Sequence, residues 1–229
     1  MTTSTPPLSC ILELNDVRVL YGDSCVLCVP SLNLASGEIL LLTGPNGSGK
    51  SSLLLGLAGI GPKLTGQVRY LSRNLAALSP PSRPRHGLRL LPQGRRLFPR
   101  LTPDEHVRLA MQTLAPAEHG LTSRPLPRLR DGVTDRPSAG ASGGEAKAIL
   151  LASLLVPGLQ LLMLDEPFAG LDARATAHLI EIIGTIRSTC VTAIIVDHTG
   201  MAESQVGDVK HATIVSMSGA NTIRCRDQE

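Results

Sequence analysis

Gly44-Pro45-Asn46-Gly47-Ser48-Gly49-Lys50-Ser51, followed by Ser52, is the stretch on which the fold turns. The apolar run Ile39–Thr43 precedes it, and Lys50–Ala58 runs on unbroken until Gly59, Gly61 and Pro62 stop it. The first run reads as a strand and the second as a helix. GxxxxGK[ST] placed between strand and helix is a phosphate-binding loop. Its glycines let successive backbone N–H groups turn inward around an anion. The helix start adds unsatisfied N–H groups and the positive end of its dipole. Lys50 brings a compact positive charge to the β- and γ-phosphates. The Ser51 hydroxyl is a hard oxygen ligand for Mg²⁺.

Leu161-Leu162-Met163-Leu164, ending in Asp165-Glu166-Pro167, is the companion signal. An apolar strand there delivers two carboxylates at its C-terminal end, where open α/β sheets bind ligands. Asp165 is expected in the Mg²⁺ shell through water, and Glu166 as the base for an attacking water. Gln160–Leu164 and Val191–Val196 are short continuous apolar runs, as suits strands buried on both faces of a parallel sheet. Between them, Leu179, Ile182, Ile183 and Ile186 in Arg174–Thr189 have amphipathic helical spacing. Strand, helix and strand make a βαβ unit.

Toward the N-terminus, Ile11–Leu14, Val17–Leu20, Val26–Val29 and Leu32–Leu34 read as short strands punctuated by Gly22-Asp23 and Ser36-Gly37. Further strands are expected at Gln67–Leu71 and Gly87–Leu91. From about Pro99 to Pro137 the pattern turns helical, polar and proline-rich, which predicts an inserted helical subdomain, and Gly143–Leu155 reads as a helix.

The chain has 229 residues, 42% of them apolar and 18% charged, enough to bury a core and too apolar for a disordered chain. Tyr21, Tyr70, Phe98 and Phe168 are the whole aromatic set, so the core must be aliphatic. Five cysteines, with Cys25 and Cys28 in CxxC spacing but no second pair, make neither a disulfide scaffold nor a zinc site. They are expected as buried small apolar residues, and not as a metal or redox site, in a reducing, cytosolic compartment. Met1–Ser9 lacks the features of a secretory signal and reads as a flexible tail. Ala148–Leu164, the most apolar stretch, is broken by Pro157-Gly158 and does not predict a membrane span. Formal charge is +3, but residues 83–136 hold 11 Arg against 5 acidic residues. With Phe98 the single aromatic among them, that excess predicts a solvated or partner-facing surface in place of a nucleic-acid site.

Three more features narrow the class. Ser142-Gly143-Gly144-Glu145 opens a helix and makes a second glycine-rich anion site. Ala169-Gly170-Leu171-Asp172 follows the Asp-Glu pair, and His198 follows Val191–Val196. With Gln93 they resemble the ATP-binding cassette (ABC) family: phosphate loop, Gln loop, signature, Asp-Glu pair, Asp loop and switch histidine in order. The resemblance runs from Tyr21 to His198, with Lys50 to Gln93 spanning 43 residues, Gln93 to Ser142 49, Ser142 to Asp165 23 and Asp165 to His198 33.

The resemblance implies an α/β fold: a P-loop NTPase ABC cassette with a mixed or parallel sheet core and an N-terminal antiparallel β subdomain. It implies one domain over residues 10–229, with the helical subdomain inserted at about 99–155, and ATP and Mg²⁺ as cofactors. Tyr21 matches the aromatic on which adenine stacks, Gln93 the residue that touches Mg²⁺, and His198 the γ-phosphate contact. Ser142, Gly143, Gly144 and Glu145 would act in trans on ATP held by a second ABC ATPase subunit, across an interface that Asp172 also crosses. The sequence departs from the family pattern in Ala141 where Leu is common, in Glu145 where Gln is commoner, and in Lys147 as the sole cation of the following turns.

The expected function is an ATP-hydrolysing transporter subunit attached peripherally to the cytoplasmic face of the cell membrane through integral-membrane permease subunits. Gln93–Thr102 looks like the same segment of branched-chain amino acid importer subunits, and Phe98, rimmed by Arg95, Arg96 and Arg100, would anchor the membrane subunit. A Phe98 buried in the helical subdomain is the competing structural reading. A soluble cassette ATPase acting on nucleic acid or ribosomes is the alternative function. Such proteins usually carry two cassettes or a long insertion, which this chain lacks, so no nucleic-acid partner is expected.

Overall fold

Ile39 and Leu41 of β3 (Ile39–Thr43) face one apolar cluster, while Leu40 and Leu42 face another. The same split runs through β7 (Leu161–Asp165) and β8 (Thr192–Val196), each buried along its whole length. Side chains alternate across a strand, so an unbroken apolar run is what a strand covered on both faces requires. The computed structural model describes residues 10–94, 97–112, 137–187, 191–197, 209–217 and 220–225.

One face is covered by α1 (Lys50–Ala58), through Leu53, Leu54 and Leu57. The other is covered by α3 (Gly143–Leu154) and α4 (Ala173–Arg187), through Leu150, Leu151, Leu154, Leu179, Ile183 and Ile186. The far end of α1 is held by Arg83, whose Nη1 donates to the carbonyls of Gly56 (3.1 Å) and Leu57 (2.8 Å). That satisfies carbonyls a helix end otherwise leaves orphaned.

The first two strands are longer than the sequence predicts. β1 (Cys10–Tyr21) and β2 (Ser24–Ala35) replace the four short runs. Asn15-Asp16, which reads as a break, is an irregularity within β1, with Asp16 at φ 50 and a register shift between Asn15 and Arg18. A bulge absorbs the interruption without ending the strand. β4 (Lys63–Tyr70) pairs with β1, and β5 (Arg73–Asn74) pairs with β4, both antiparallel. β6 (Leu88–Leu91) lies parallel to β7, and β7 parallel to β8.

The C-terminal hairpin of β9 (Lys210–Met217) and β10 (Ala220–Cys225) was not expected. β9 joins β3 in parallel and β10 meets β2 at Thr222↔Cys28. It therefore links the N-terminal antiparallel strands to the parallel core in one ten-stranded sheet, ordered β5-β4-β1-β2-β10-β9-β3-β8-β7-β6. Alternation of the buried Ala212 and Ile214 with half-buried His211 and Thr213 was the available signal. Of the inserted helical segment, α2 (Pro103–Met111) is described and packs on α3; residues 113–136, like the tail 1–9, lie outside the described residues. Among the described residues no helix is long and apolar enough to cross a membrane.

The described cysteines differ from expectation: Cys25 is exposed, and Cys10, Cys28 and Cys225 are only partly buried, while Cys190 lies outside the described residues. The aromatics divide evenly. Tyr70 and Phe168 are in the core, whereas Tyr21 and Phe98 are exposed.

Candidate functional site

The C-terminal ends of β3, β7 and β6 carry the polar residues. Past β3, residues 44–49 turn into α1, whose N-cap Gly49 sits at φ 99 without a side-chain capping bond. The first helical N–H groups therefore remain for an anion. Lys50 is 5% exposed, and its Nζ donates to the carbonyls of Gly44 (2.8 Å) and Pro45 (2.7 Å). Those bonds hold the ammonium over the loop. Ser48 Oγ is buried with no hydrogen-bond partner. Buried polar atoms are rarely left so, and a hydroxyl aimed at an anion loop fits a phosphate oxygen as its missing acceptor.

β6 and β7 run parallel with Leu91 opposite Leu164, so Gln93 and Glu166, each two residues further on, meet. Gln93 Nε2 donates to Glu166 Oε2 at 2.7 Å. Beside them, Ser51 Oγ donates to Asp165 Oδ1 at 2.9 Å, which ties α1 to β7 across 114 positions of sequence. Glu166 has φ 49, a left-handed conformation uncommon for a residue with a side chain. Such strain costs on the order of 1–3 kcal/mol and tends to collect at working sites. Its own amide is secured by the Val196 carbonyl at 3.0 Å.

Burial sets the electrostatics. Loss of solvent lowers the pKa of the Lys50 ammonium, while Glu166 and Asp165 pull it back up. Loss of solvent also raises Asp165, opposed by the Ser51 hydroxyl and the Gln93 backbone N–H. A carboxylate in that position gains from a cation. Ser51, Gln93, Asp165 and Glu166 offer hard oxygens, the donor set Mg²⁺ takes. Among the described residues no group of three or more His, Cys, Asp or Glu could hold a metal by itself.

Tyr21 ends β1 on the same side, with the Ser52 hydroxyl 3.4 Å from its phenolic oxygen. The residue is 49% exposed, so it is not a core tyrosine.

Ser142–Glu145 and Asp172 occupy a different place. They line a cleft of about 810 Å³ together with Arg174 and His178, and none of residues 44–52 lines it. Ser142 caps α3, accepting from the Glu145 N–H at 3.3 Å, while the Glu145 carboxylate accepts from the Ser142 N–H at 2.8 Å. Glu145, which departs from the family pattern, thus completes a reciprocal capping box. The Ser142 backbone bond also holds the Glu145 carboxyl below its ordinary pKa. Asp172 accepts from the Ala175 N–H at 2.8 Å at the start of α4. A Cβ on Gly144 would lie 2.5 Å from that of Ala175, so close packing of α3 on α4 demands glycine there.

Lys147 was not predicted as a site residue. Its Nζ donates to the carbonyls of Pro167 (2.7 Å) and Ala169, spanning from α3 to the turn that follows Glu166. The sequence shows a lone cation after the signature, but its reach depends on how α3 packs. His198, Arg95 and Arg96 lie outside the described residues.

Residues 28–169 match the family described as ABC transporter. The spermidine/putrescine import ATP-binding protein PotA of Pseudomonas aeruginosa is 32% identical over 85% of this chain and 53% of its own length. The chain thus spans about half of that relative. The high-affinity branched-chain amino acid transport ATP-binding protein BraG of the same organism is 30% identical over 86% of each chain. The crystal structure of a nucleotide-free ATP-binding cassette from an ABC transporter superposes with a TM-score of 0.72 at 19% identity, covering 93% of this chain and 90% of that one. The fold, the phosphate loop and the family match agree, and the chain belongs to the ABC transporter family as an ATP-binding cassette.

Proposed function

We propose that this chain binds and hydrolyses ATP as the motor subunit of a transporter, working as one of two paired cassettes. The observation that carries this reading is the paired contact Ser51–Asp165 and Gln93–Glu166 beside the Lys50 loop. It sets a cation, a metal-binding hydroxyl and two carboxylates around one phosphate position. Tyr21 stacks on the base, and residues 44–52 bind the phosphates through backbone N–H groups, Ser48 and Lys50. Mg²⁺, when bound, would supply positive charge against the phosphates. Ser51 and Asp165 would hold it, with Gln93 at the end of β6 as a further ligand. Glu166 accepts the proton of the attacking water, held in place by the Gln93 amide and the Val196 carbonyl. His198 serves as the γ-phosphate contact.

Ser142, Gly143, Gly144 and Glu145 close over the nucleotide of a second subunit, with Asp172 at the same interface. The capping box supports this: it presents the N-terminal end of α3 in an open cleft away from the chain's own phosphate loop. Permease subunits of the membrane dock on a groove of about 410 Å³ lined by Ile60, Phe98, Leu109 and Leu150. Phe98 is 55% exposed and stacked on His106 with ring centroids 5.9 Å apart, so it is not the buried anchor of the helical subdomain. That docking places the subunit at the cytoplasmic face of the membrane.

Import of an amino acid is the cargo reading that the 93–102 segment and the likeness to BraG favour. Relatives named for polyamines and thiamine fit a motor whose cargo is chosen by other chains. The test is Glu166→Gln with ATP and Mg²⁺: nucleotide binding persists, turnover collapses and a nucleotide-dependent dimer accumulates. Hydrolysis at the wild-type rate would remove Glu166 as the base, and a purified wild-type chain that neither binds nor cleaves ATP would remove the reading altogether.

A further inference from the structure

Cys25 and Cys28 of β2 are three residues apart, a spacing that in a regular strand puts side chains on opposite faces. Here their sulfurs are 3.6 Å apart. The cause is a bulge. Leu27 pairs with Val19 and Cys25 with Leu20, which leaves Val26 as an extra residue without a partner in β1. One inserted residue turns a three-residue separation into an effective two and brings both thiols to one face. Cys25 is exposed, and burial followed by the Cys25 thiol raises the pKa of Cys28.

The bulge lies against the phosphate loop. A Cβ built on Gly49 would sit 3.0 Å from Leu27 Cβ and 3.3 Å from the Val26 carbonyl oxygen. That carbonyl also accepts from Asn221 Nδ2 of β10 at 3.3 Å. The hairpin containing Cys25 also presents Tyr21, which pairs with Ser24. Joining the sulfurs would shorten their separation from 3.6 Å to about 2.05 Å. The residues between them, Val26 and Leu27, are the ones that lie beside Gly49, so forming the bond acts on the backbone next to the loop.

We propose that Cys25 and Cys28 form an intramolecular thiol–disulfide site and that its oxidation weakens nucleotide binding at the neighbouring loop. The oxidant class is a small-molecule disulfide such as oxidised glutathione. The exposed Cys25, as thiolate, attacks one sulfur of the reagent, forms a mixed disulfide and expels one reagent thiolate. Cys28 gives its proton to solvent, attacks the Cys25 sulfur and expels the second reagent thiolate. Two protein thiols are oxidised and one small disulfide is reduced to two thiols. The effect on affinity rests on the proposed ATP reading, whereas formation of the bond does not.

The purified chain is equilibrated with glutathione buffers of graded ratio. It is then examined by intact mass, by a non-reducing peptide map and by titration with a fluorescent ATP analogue. The expected result is loss of two hydrogens with a 25–28 crosslink, analogue affinity falling several-fold, and full recovery after dithiothreitol. Cys25→Ser and Cys28→Ser should each bind the analogue like the reduced chain in reducing buffer and form no 25–28 crosslink in oxidising buffer, Cys28→Ser stopping at the Cys25 mixed disulfide. Stable glutathione adducts without the crosslink would overturn the site, and a crosslinked chain with unchanged affinity would overturn its coupling to the loop. Failure of the reduced chain to bind the analogue would count against the ATP reading, while the peptide map still decides whether the site exists.

Discussion

The two glycine-rich loops of this chain are finished to different degrees. Around 44–52, besides the Lys50 bonds within the loop, hydrogen bonds reach distant elements: Ser51 to Asp165 on β7, and Ser52 to Tyr21 on β1. Around 142–145 they stay local, Ser142 and Glu145 satisfying each other at an exposed helix start. A loop tied to two distant strands by its own chain is preorganised for its ligand. A capped helix end in an open cleft is rigid yet makes no use of its free face, as suits a surface completed by a second subunit. Lys147 runs from the signature helix to the turn behind Glu166.

Substitutions can break or sharpen that contrast. Glu166→Gln should bring the largest change, a fall in turnover of about 10²–10⁴-fold, the range for loss of a general base. Single-turnover hydrolysis with retained nucleotide binding checks it. Lys50→Ala should weaken ATP binding by about 10–100-fold, since a charge-assisted contact contributes roughly 1.5–3 kcal/mol. Calorimetry reads this directly, and an unchanged Kd would end the loop's role.

Lys147→Met should lower turnover by about tenfold at unchanged nucleotide affinity, because it loosens the Glu166 turn and leaves the phosphate loop intact. Partial rescue by Lys147→Arg would separate positioning from general damage to the fold. Ser142→Ala should cost about 1 kcal/mol of stability through the lost cap. Its sharper readout is weaker ATP-dependent dimerisation at an unaltered Kd for ATP in the monomer; a changed monomer Kd would erase the distinction between the two loops. Phe98→Ala should have the smallest effect on the isolated chain, with basal hydrolysis nearly unchanged and stimulation by the membrane subunits reduced. Equal loss of both would mean that Phe98 supports the helical segment in place of a partner.

Much of this was legible in the chain. β3 and α1 begin and end where the apolar runs and Gly59 say they should, since strand, turn and helix there follow from local chemistry. The carboxylates at the end of β7 were legible for the same reason. Their pairing with Gln93 was not, because it comes from the β6–β7 register, which joins residues 73 positions apart. The length of β1 and β2 was also misread. Asn15-Asp16 resembles a turn, and only cross-strand pairing converts it into a bulge.

By itself the sequence determined the phosphate loop, the buried parallel strands, the acidic strand end and the family, since each is written in adjacent residues whose conformational preferences agree. Only the tertiary structure decided that the C-terminal hairpin stitches both halves into one sheet, that Lys147 reaches the Glu166 turn, and that a bulge sets two thiols side by side. Those outcomes depend on register and helix packing, where a shift of one residue redirects every side chain and no local preference records the choice.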